Sequence, residues 1–220
     1  MTIDYARARE VMVEQQIRPW DVLDQRVLDV LAELPREDFA PEPYRALAYS
    51  DIEIPLGHGE RMLKPVVTGR ILQSLAPAAG EDVLEIGTGS GYLSACLGRL
   101  ARDVVSLERH ADLAEAARAR LGAHGIGNVA VETADAFAWD TERRFDAICV
   151  TAAVDRIPSR FLGWLRPGGR MFVVHGRAPA MEAVLIHMVG DDVNAARTES
   201  LFETDIGYLA GAAPAPEFQL

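Results

Sequence analysis

Cysteine is nearly missing from this 220-residue chain; Cys96 and Cys149 are the only two. Neither sits in a CxxC or a His/Cys cluster, which argues against structural zinc and a disulfide framework. Both fit small core residues in a reducing compartment. Long apolar runs are also missing: no stretch reaches the ~18 residues of a membrane span. The N-terminal MTIDYARAREVMVEQQ lacks the apolar core of a secretory signal, so a soluble cytoplasmic protein with no membrane partner is expected. Base is in short supply, with 22 Lys and Arg against 33 Asp and Glu and a net charge of -11. Such a chain repels a phosphate backbone, and nucleic acid is not an expected partner. Oligomeric state leaves no mark on the sequence.

What is present is ordinary globular composition, 49% hydrophobic and 25% charged, at a length of one large domain. Apolar residues recur at helical spacing from Tyr5 to about Gln16 and from Val22 to Leu34. The Arg18-Pro19 break separates these helices and Leu34-Pro35 ends the second. A passage from Phe39 to Pro65, with four prolines and two glycines, reads as a long loop of the kind that carries function. A helix over Val66–Leu75 follows. Strands are then expected at Asp82–Ile86, Val104–Leu107, Val129–Glu132, Ala147–Val150 and Met171–Val174. Helices are expected between them at Gly91–Leu100, Ala111–His124 and Arg160–Leu165, with a turn at Arg166-Pro-Gly-Gly. This alternation predicts an α/β fold, a doubly wound, mainly parallel sheet covered on both faces. Two more strands, Ala183–Val189 and Glu199–Ile206, would pair antiparallel at an edge, and the last ten residues would form an extended arm. Residues 1–78 are expected to supply an N-terminal helical cap and a covering loop, and 79–220 a ligand-binding domain, in one compact unit. Trp20, Trp139 and Trp164 read as packing residues.

Val83-Leu-Glu-Ile-Gly-Thr-Gly-Ser-Gly-Tyr92 is strand, glycine-rich turn and helix start in that order. Gly87, Gly89 and Gly91 let a ligand approach the backbone closely. The third glycine falls one place too early for the GxGxxG dinucleotide fingerprint, and no Walker motif exists. Glu85 would suit a cationic ligand rather than a pyrophosphate. Glu108, at the end of the next strand, can accept two hydrogen bonds from a ribose diol. Without a ligand the loop would be only a sharp turn, and Glu108 a solvated strand end. Ser90 and Ser94 lack the GxSxG context of a hydrolase. His58, His110, His124, His175 and His187 show no metal-ligand spacing, so no metal is expected. His58, between two glycines, is either a turn histidine or a substrate contact. Thr151 either faces the crevice at the strand ends or caps the next turn.

The loop at 85–91 with Glu108 resembles the class I S-adenosylmethionine-dependent methyltransferases, in which Asp135 matches an acid that usually contacts the adenine. Standing alone, Asp135 would equally serve as a loop cap. Within that superfamily several stretches are similar to protein-L-isoaspartate O-methyltransferases: Met12-Val-Glu-Gln-Gln-Ile, Pro35-Arg-Glu-Asp-Phe, Tyr44-Arg-Ala-Leu-Ala-Tyr-Ser-Asp, Ile54-Pro-Leu-Gly-His-Gly, Phe145-Asp-Ala-Ile-Cys-Val-Thr-Ala-Ala and Leu165-Arg-Pro-Gly-Gly-Arg. The resemblance runs in order from about Met12 to Val174. It implies S-adenosyl-L-methionine as cofactor, held by Glu85, Gly87, Thr88, Gly89, Ser90, Gly91, Glu108, Asp135 and Ala136. The implied partners are isoaspartyl-containing proteins or peptides, whose side-chain carboxylate is esterified as the start of repair through a succinimide.

Two departures from the family pattern stand out. Where the family reads Gln-Thr-Ile-Ser-x-Pro, this chain has Glu60-Arg-Met-Leu63-Lys64-Pro65, and where it reads Gly-Asp-Gly, this chain has Ala134-Asp-Ala136. The family serine helps bind the isoaspartyl carboxylate, and Leu63 can neither donate nor accept a hydrogen bond through its side chain. Arg61 or Lys64 could take over by pairing with the carboxylate, or be plain solvated loop charge. Acceptor-pocket candidates are therefore His58, Arg61, Leu63, Lys64 and Thr151; because an ionised carboxylate needs no acid, base or covalent nucleophile, no catalytic residue is assigned among them. A methyltransferase with another carboxylate or small-molecule acceptor, and a non-catalytic S-adenosylmethionine-binding protein, are the rival readings.

Overall fold

The computed structural model describes residues 3–190, 192 and 195–215. Helix α1 (Tyr5–Val11) is capped by the Asp4 side chain, which accepts from the Arg7 amide at 3.0 Å. Where an unbroken helix to Gln16 is expected, the chain widens into a π-helical turn over Met12–Ile17. It then tightens into a 3₁₀ turn over Arg18–Trp20, before Asp21 reverses it in the left-handed region. Pro19 accounts for the break, since it withholds an amide from the helix ladder. Trp20 is a correction: at 54% exposure it is not a packing residue. Helix α2 (Gln25–Glu33) starts on an Asp24 cap and stops before Pro35.

The 39–65 passage is more ordered than its proline content suggests. It holds a 3₁₀ turn over Glu42–Leu47 and a hairpin of β1 (Ile54–Gly57) and β2 (Glu60–Met62). No period-2 or 3.6 signal marks so short a hairpin, because only Ile54 and Met62 are buried. Helix α3 (Pro65–Leu75) opens on a proline at its first position.

The main sheet has the order β5-β4-β3-β6-β7-β8-β9. Its parallel part comprises β3 (Asp82–Ile86), β4 (Asp103–Glu108), β5 (Val129–Thr133), β6 (Phe145–Val154) and β7 (Leu165–Arg177). Helices α4 (Tyr92–Leu100), α5 (Ala111–Ala123) and the short α6 (Ser159–Leu162) connect them. Strands β8 (Ala180–His187) and β9 (Arg197–Thr204) complete the edge, both antiparallel as expected. Of the C-terminal arm, residues 216–220 lie outside those described. β3 is buried at all five positions, as its apolar run requires of a central parallel strand.

The order reverses beside β3: β4 leads one way and β6 the other. Open α/β sheets bind ligands at this switch point, outside the carboxyl ends of the strands. One core runs from Met12, Ile17 and Leu31 of the N-terminal segment to Val83 and Phe172 of the sheet. Among the described residues no helix is long and apolar enough to cross a membrane, and both cysteines are buried and unpaired.

Candidate active site

The glycine loop leaves β3 with φ of +99° at Gly87, +53° at Gly89 and +83° at Gly91. Each is a left-handed conformation that side chains resist. The amides of Gly87 and Thr88 both donate to the Leu107 carbonyl, at 2.9 and 3.1 Å, which draws the loop onto the end of β4. On the other side β6 bulges. Cys149 pairs with Phe172 and Ala153 with Val174, so residues 150–152 stand opposite Val173 alone. A bulge re-aims side chains, and here it turns Thr151 toward the loop, where Oγ1 donates to the Gly87 carbonyl at 2.7 Å. A Cβ on Gly87 would lie 2.2 Å from that oxygen, while one on Gly89 would lie 3.1 Å from Leu56 of the β1–β2 hairpin. The hairpin thus lies over the loop. Gly91 serves packing: its missing Cβ admits Ala117 of α5.

Three cavities meet at this point. The first, about 630 Å³, is walled by Gly87, Gly89, Glu108, Asp135, Ala136 and Leu209, among others. The second, about 340 Å³, lies on the inner side of the loop against Thr88, Ser90, Tyr92, Leu63 and Arg36. The third, about 1180 Å³ and the widest, opens between His58, Glu60 and Leu63 on one side and Asp205–Tyr208 on the other. Arg61 and Thr151 are common to all three.

The acids are placed by the strand ends. Glu108 is buried and accepts from the amides of Gly89 and His110, both at 2.9 Å. It is therefore no solvated strand end, and it keeps lone pairs for hydroxyl donors. Asp135 accepts from the Phe137 amide at 2.9 Å while also walling the first cavity. Loop cap and crevice wall are one geometry here. Thr88 is hydrogen-bonded to Ser106 at 2.5 Å and the Ser90 hydroxyl accepts from the Tyr92 amide at 3.2 Å. Both hydroxyls hold the loop together.

Glu85 departs from its expected place. It lies beneath the loop, fully buried, accepting from Ser94 and Ser106, with Oε1 unpartnered and no share in any of the three cavity walls. Burial pushes its carboxyl up to about 7, against the pull of the two serines and with the help of Glu108. A carboxyl raised from its ordinary 4.5 costs stability only where it must ionise. Stability is full below about 4.5 and falls as pH rises toward about 7, by at most ~1.4 kcal/mol per pH unit. Glu85→Gln is expected to flatten this slope. Denaturant midpoints of both proteins from pH 5 to 8 check it, and parallel curves would count against it.

The acceptor-pocket candidates separate. His58, at φ +54°, stacks on His110 with ring centroids 4.1 Å apart and contacts Asp112 at 2.9 Å. It ties the hairpin to α5 at the edge of the third cavity. Arg61 is exposed, with a loose 3.8 Å contact to Glu53. Leu63 borders the second and third cavities, packs against the hydrophobic core and gives its carbonyl to Arg36. Lys64 walls none of the three cavities, and its carbonyl accepts from the Thr68 amide and hydroxyl at the start of α3. Pro65 at the helix start fixes that direction. Nothing in the sequence marks Arg36 or Tyr92 as chemical groups, because no local pattern signals an arginine that becomes fully buried.

A glycine turn bordering a cavity, a buried acid at the end of β4 and a second acid beyond β5 fit a nucleoside ligand. The protein-family comparison matches residues 7–199 to protein-L-isoaspartate(D-aspartate) O-methyltransferase. Protein-L-isoaspartate O-methyltransferase 1 of Rhodopseudomonas palustris is 38% identical over 97% of this chain and 89% of its own. The like-named protein of Syntrophobacter fumaroxidans is 40% identical over 84% and 86%. Among solved structures, a Plasmodium falciparum protein described as a putative protein-L-isoaspartate O-methyltransferase, in complex with S-adenosyl-L-homocysteine, superposes with a TM-score of 0.79. It covers 94% of this chain and 99% of its own, at 18% identity. A further protein-L-isoaspartate O-methyltransferase structure has the same TM-score at 25% identity, over 93% of this chain and 66% of its own.

Proposed function

Because the chain belongs to the protein-L-isoaspartate(D-aspartate) O-methyltransferase family and is an S-adenosylmethionine-dependent methyltransferase, we propose that it esterifies isoaspartyl carboxylates of damaged proteins at the junction of its three cavities. The observation carrying this reading is that Arg61 and Thr151 border all three. The first cavity is assigned to the adenosine of the cofactor, with Glu108 on the ribose and Asp135 and Ala136 beside the base. The second is assigned to its amino-acid end and the third, wide enough for a peptide, to the acceptor. In this reading residues 1–78 form the covering segment and 79–220 the cofactor-binding part of one unit, supported by the core they share.

S-adenosylmethionine, when bound, would supply an electrophilic methyl on its sulfonium, to be taken by an acceptor carboxylate oxygen in line as the C–S bond breaks and neutral S-adenosylhomocysteine leaves. The acceptor carboxyl, with an ordinary pKa of ~4, is already ionised at pH 7, so the protein needs no general base. Its residues work by holding the groups in line and keeping water out. Thr151 fixes the loop at the junction, Leu63 and Leu56 exclude water, and Arg61 attracts the carboxylate. Replacing a serine donor by Leu63 forgoes one hydrogen bond to a charged group, ~1.5–3 kcal/mol. Arg61 offsets it.

Transfer from labelled S-adenosylmethionine to an isoaspartyl peptide, with the matched aspartyl peptide as control, is expected to show turnover on the isoaspartyl form alone. Leu63→Ser is expected to change KM by less than tenfold. Cofactor binding without turnover on either peptide would sink the acceptor assignment, and rescue by Leu63→Ser would point to a pocket shaped for a different carboxylate.

A further inference from the structure

Strands β1 and β2 form a two-stranded sheet of their own, apart from the seven-stranded one. Such a ribbon is marginal in water unless something holds it. Burial holds its base, since Ile54 and Met62 belong to the core. Its turn is held by ionisable groups. Gly57, His58 and Gly59 all take positive φ, +104°, +54° and +84°. For a residue with a side chain this is an uncommon conformation, kept only where the surroundings require it. In that conformation the His58 ring lies on the ring of His110, at the N-cap of α5, 4.1 Å away and within 9° of parallel.

Two contacts then cross between hairpin and helix in opposite senses. His58 Nε2 of the hairpin meets Asp112 of α5 at 2.9 Å, and His110 Nε2 meets Glu60 of the hairpin at 3.7 Å. The hydrogen bond from His58 holds the Asp112 carboxyl below its ordinary range. Glu108 takes the backbone amide of His110, and Glu53, Arg61 and Asp205 share the third cavity's wall with His58. Of these residue types only histidine ordinarily changes charge between about pH 5 and 8. The quartet is neutral with both rings protonated and doubly negative with neither. Proton uptake therefore tightens it, and it loosens as pH rises through the histidine range.

The hairpin's other contacts show what this quartet controls. Glu60 and Arg61 stand in the wall of the first cavity, and Leu56 lies so close over Gly89 that an added Cβ there would be 3.1 Å from it. We propose that the hairpin is a cover on the cofactor crevice, latched by the crossed His58–Asp112 and His110–Glu60 pairs, and that loss of the histidine protons opens it to cofactor exchange. The proposal rests on the cofactor reading above and adds regulation to that site. Because the latch is already closed in the free protein, loosening it speeds entry and exit alike and leaves their ratio nearly unchanged.

Surface plasmon resonance of S-adenosylhomocysteine on the immobilised full chain, at about pH 6 and about pH 8, tests it. Asp112→Asn and His110→Gln each break one pair, and neither residue walls any of the three cavities. At the lower pH each variant is expected to raise the association and dissociation rates together, roughly 1.5- to fivefold, with Kd held within about twofold. Both rates of the wild type are expected to rise toward the higher pH, and those of the variants to rise less. Glu85 titrates in the same range but is common to all three proteins, so the difference between their slopes belongs to the latch. A faster dissociation with a matching loss of affinity would mean that these groups hold the ligand rather than the cover, and overturns the proposal. So do unchanged rates in both variants, or slopes that coincide with the wild type's. A wild-type chain that binds no S-adenosylhomocysteine at either pH would instead overturn the cofactor reading itself.

Discussion

Glu108→Ala is expected to reduce affinity for S-adenosylhomocysteine by roughly 10²- to 10⁴-fold. A buried carboxylate that accepts both hydroxyls of a ribose forms two charge-assisted hydrogen bonds of ~1.5–3 kcal/mol each. The residue also holds the amides of Gly89 and His110, at 2.9 Å each. Its removal therefore frees one amide of the glycine loop and one at the start of α5. Glu108→Gln retains one acceptor oxygen and loses the charge, so its loss should fall between those of Ala and wild type. Titration calorimetry on the three proteins reads the order directly. If Glu108→Ala binds within threefold of wild type, the ribose assignment fails. Thermal unfolding without ligand separates the two contributions, because the amide contacts are present in the free protein and the ribose contacts are not.

Gly87→Ala should be the most damaging single methyl group in the site. The added carbon would lie 2.2 Å from Thr151 Oγ1, at a φ of +99° that alanine resists. Thr151 cannot swing aside without losing its bonds to the carbonyls of Ile86 and Gly87, at 3.0 and 2.7 Å. Backbone strain and overpacking together imply a loss of ~2–4 kcal/mol in folding stability, with cofactor affinity falling in parallel. Thr151→Ala in the same chain removes the clash but not the strain. The double variant should recover part of the stability lost by Gly87→Ala, and this non-additivity is the diagnostic, since contacting residues couple where distant ones do not. Strict additivity in urea unfolding would mean that the Gly87–Thr151 contact is not what fixes the loop.

Both predictions concern residues whose importance is legible before any fold is known. Glycines at 87, 89 and 91 and an acid at the next strand end follow from the chemistry of close approach and ribose binding, and local order alone places them. The parallel strands were equally readable, because a strand buried on both faces must be a short, continuous apolar run, as Asp82–Ile86 is. The hairpin at 54–62 was not, because half-exposed strands of three or four residues carry too few buried positions to show a period. Pro19 marks where the first helix ends, but not that its last turns widen into a π-helix.

Functional roles divide on the same physical line. Glu85 and Glu108 look alike along the chain, each an acid at the end of a strand. Burial under Ser94 and Ser106 carries the first away from the cavities, while the second forms a wall of the cavity assigned to the nucleoside. Lys64 and Arg61 are neighbouring cations of one segment, yet Arg61 borders all three cavities and Lys64, at the N-cap of α3, borders none. Thr151 meets Gly87 only through a bulge that pairing within the sheet creates. Arg36 is buried only because Ala48, Leu63 and Tyr92, from three separate stretches of chain, close on it. Composition, spacing and motif thus fix the fold class, the cofactor chemistry and the family. Which side chains face the ligand depends on contacts between residues far apart in the chain, and burial, not residue type, decides whether a charge becomes a wall, a brace or an unpaired donor.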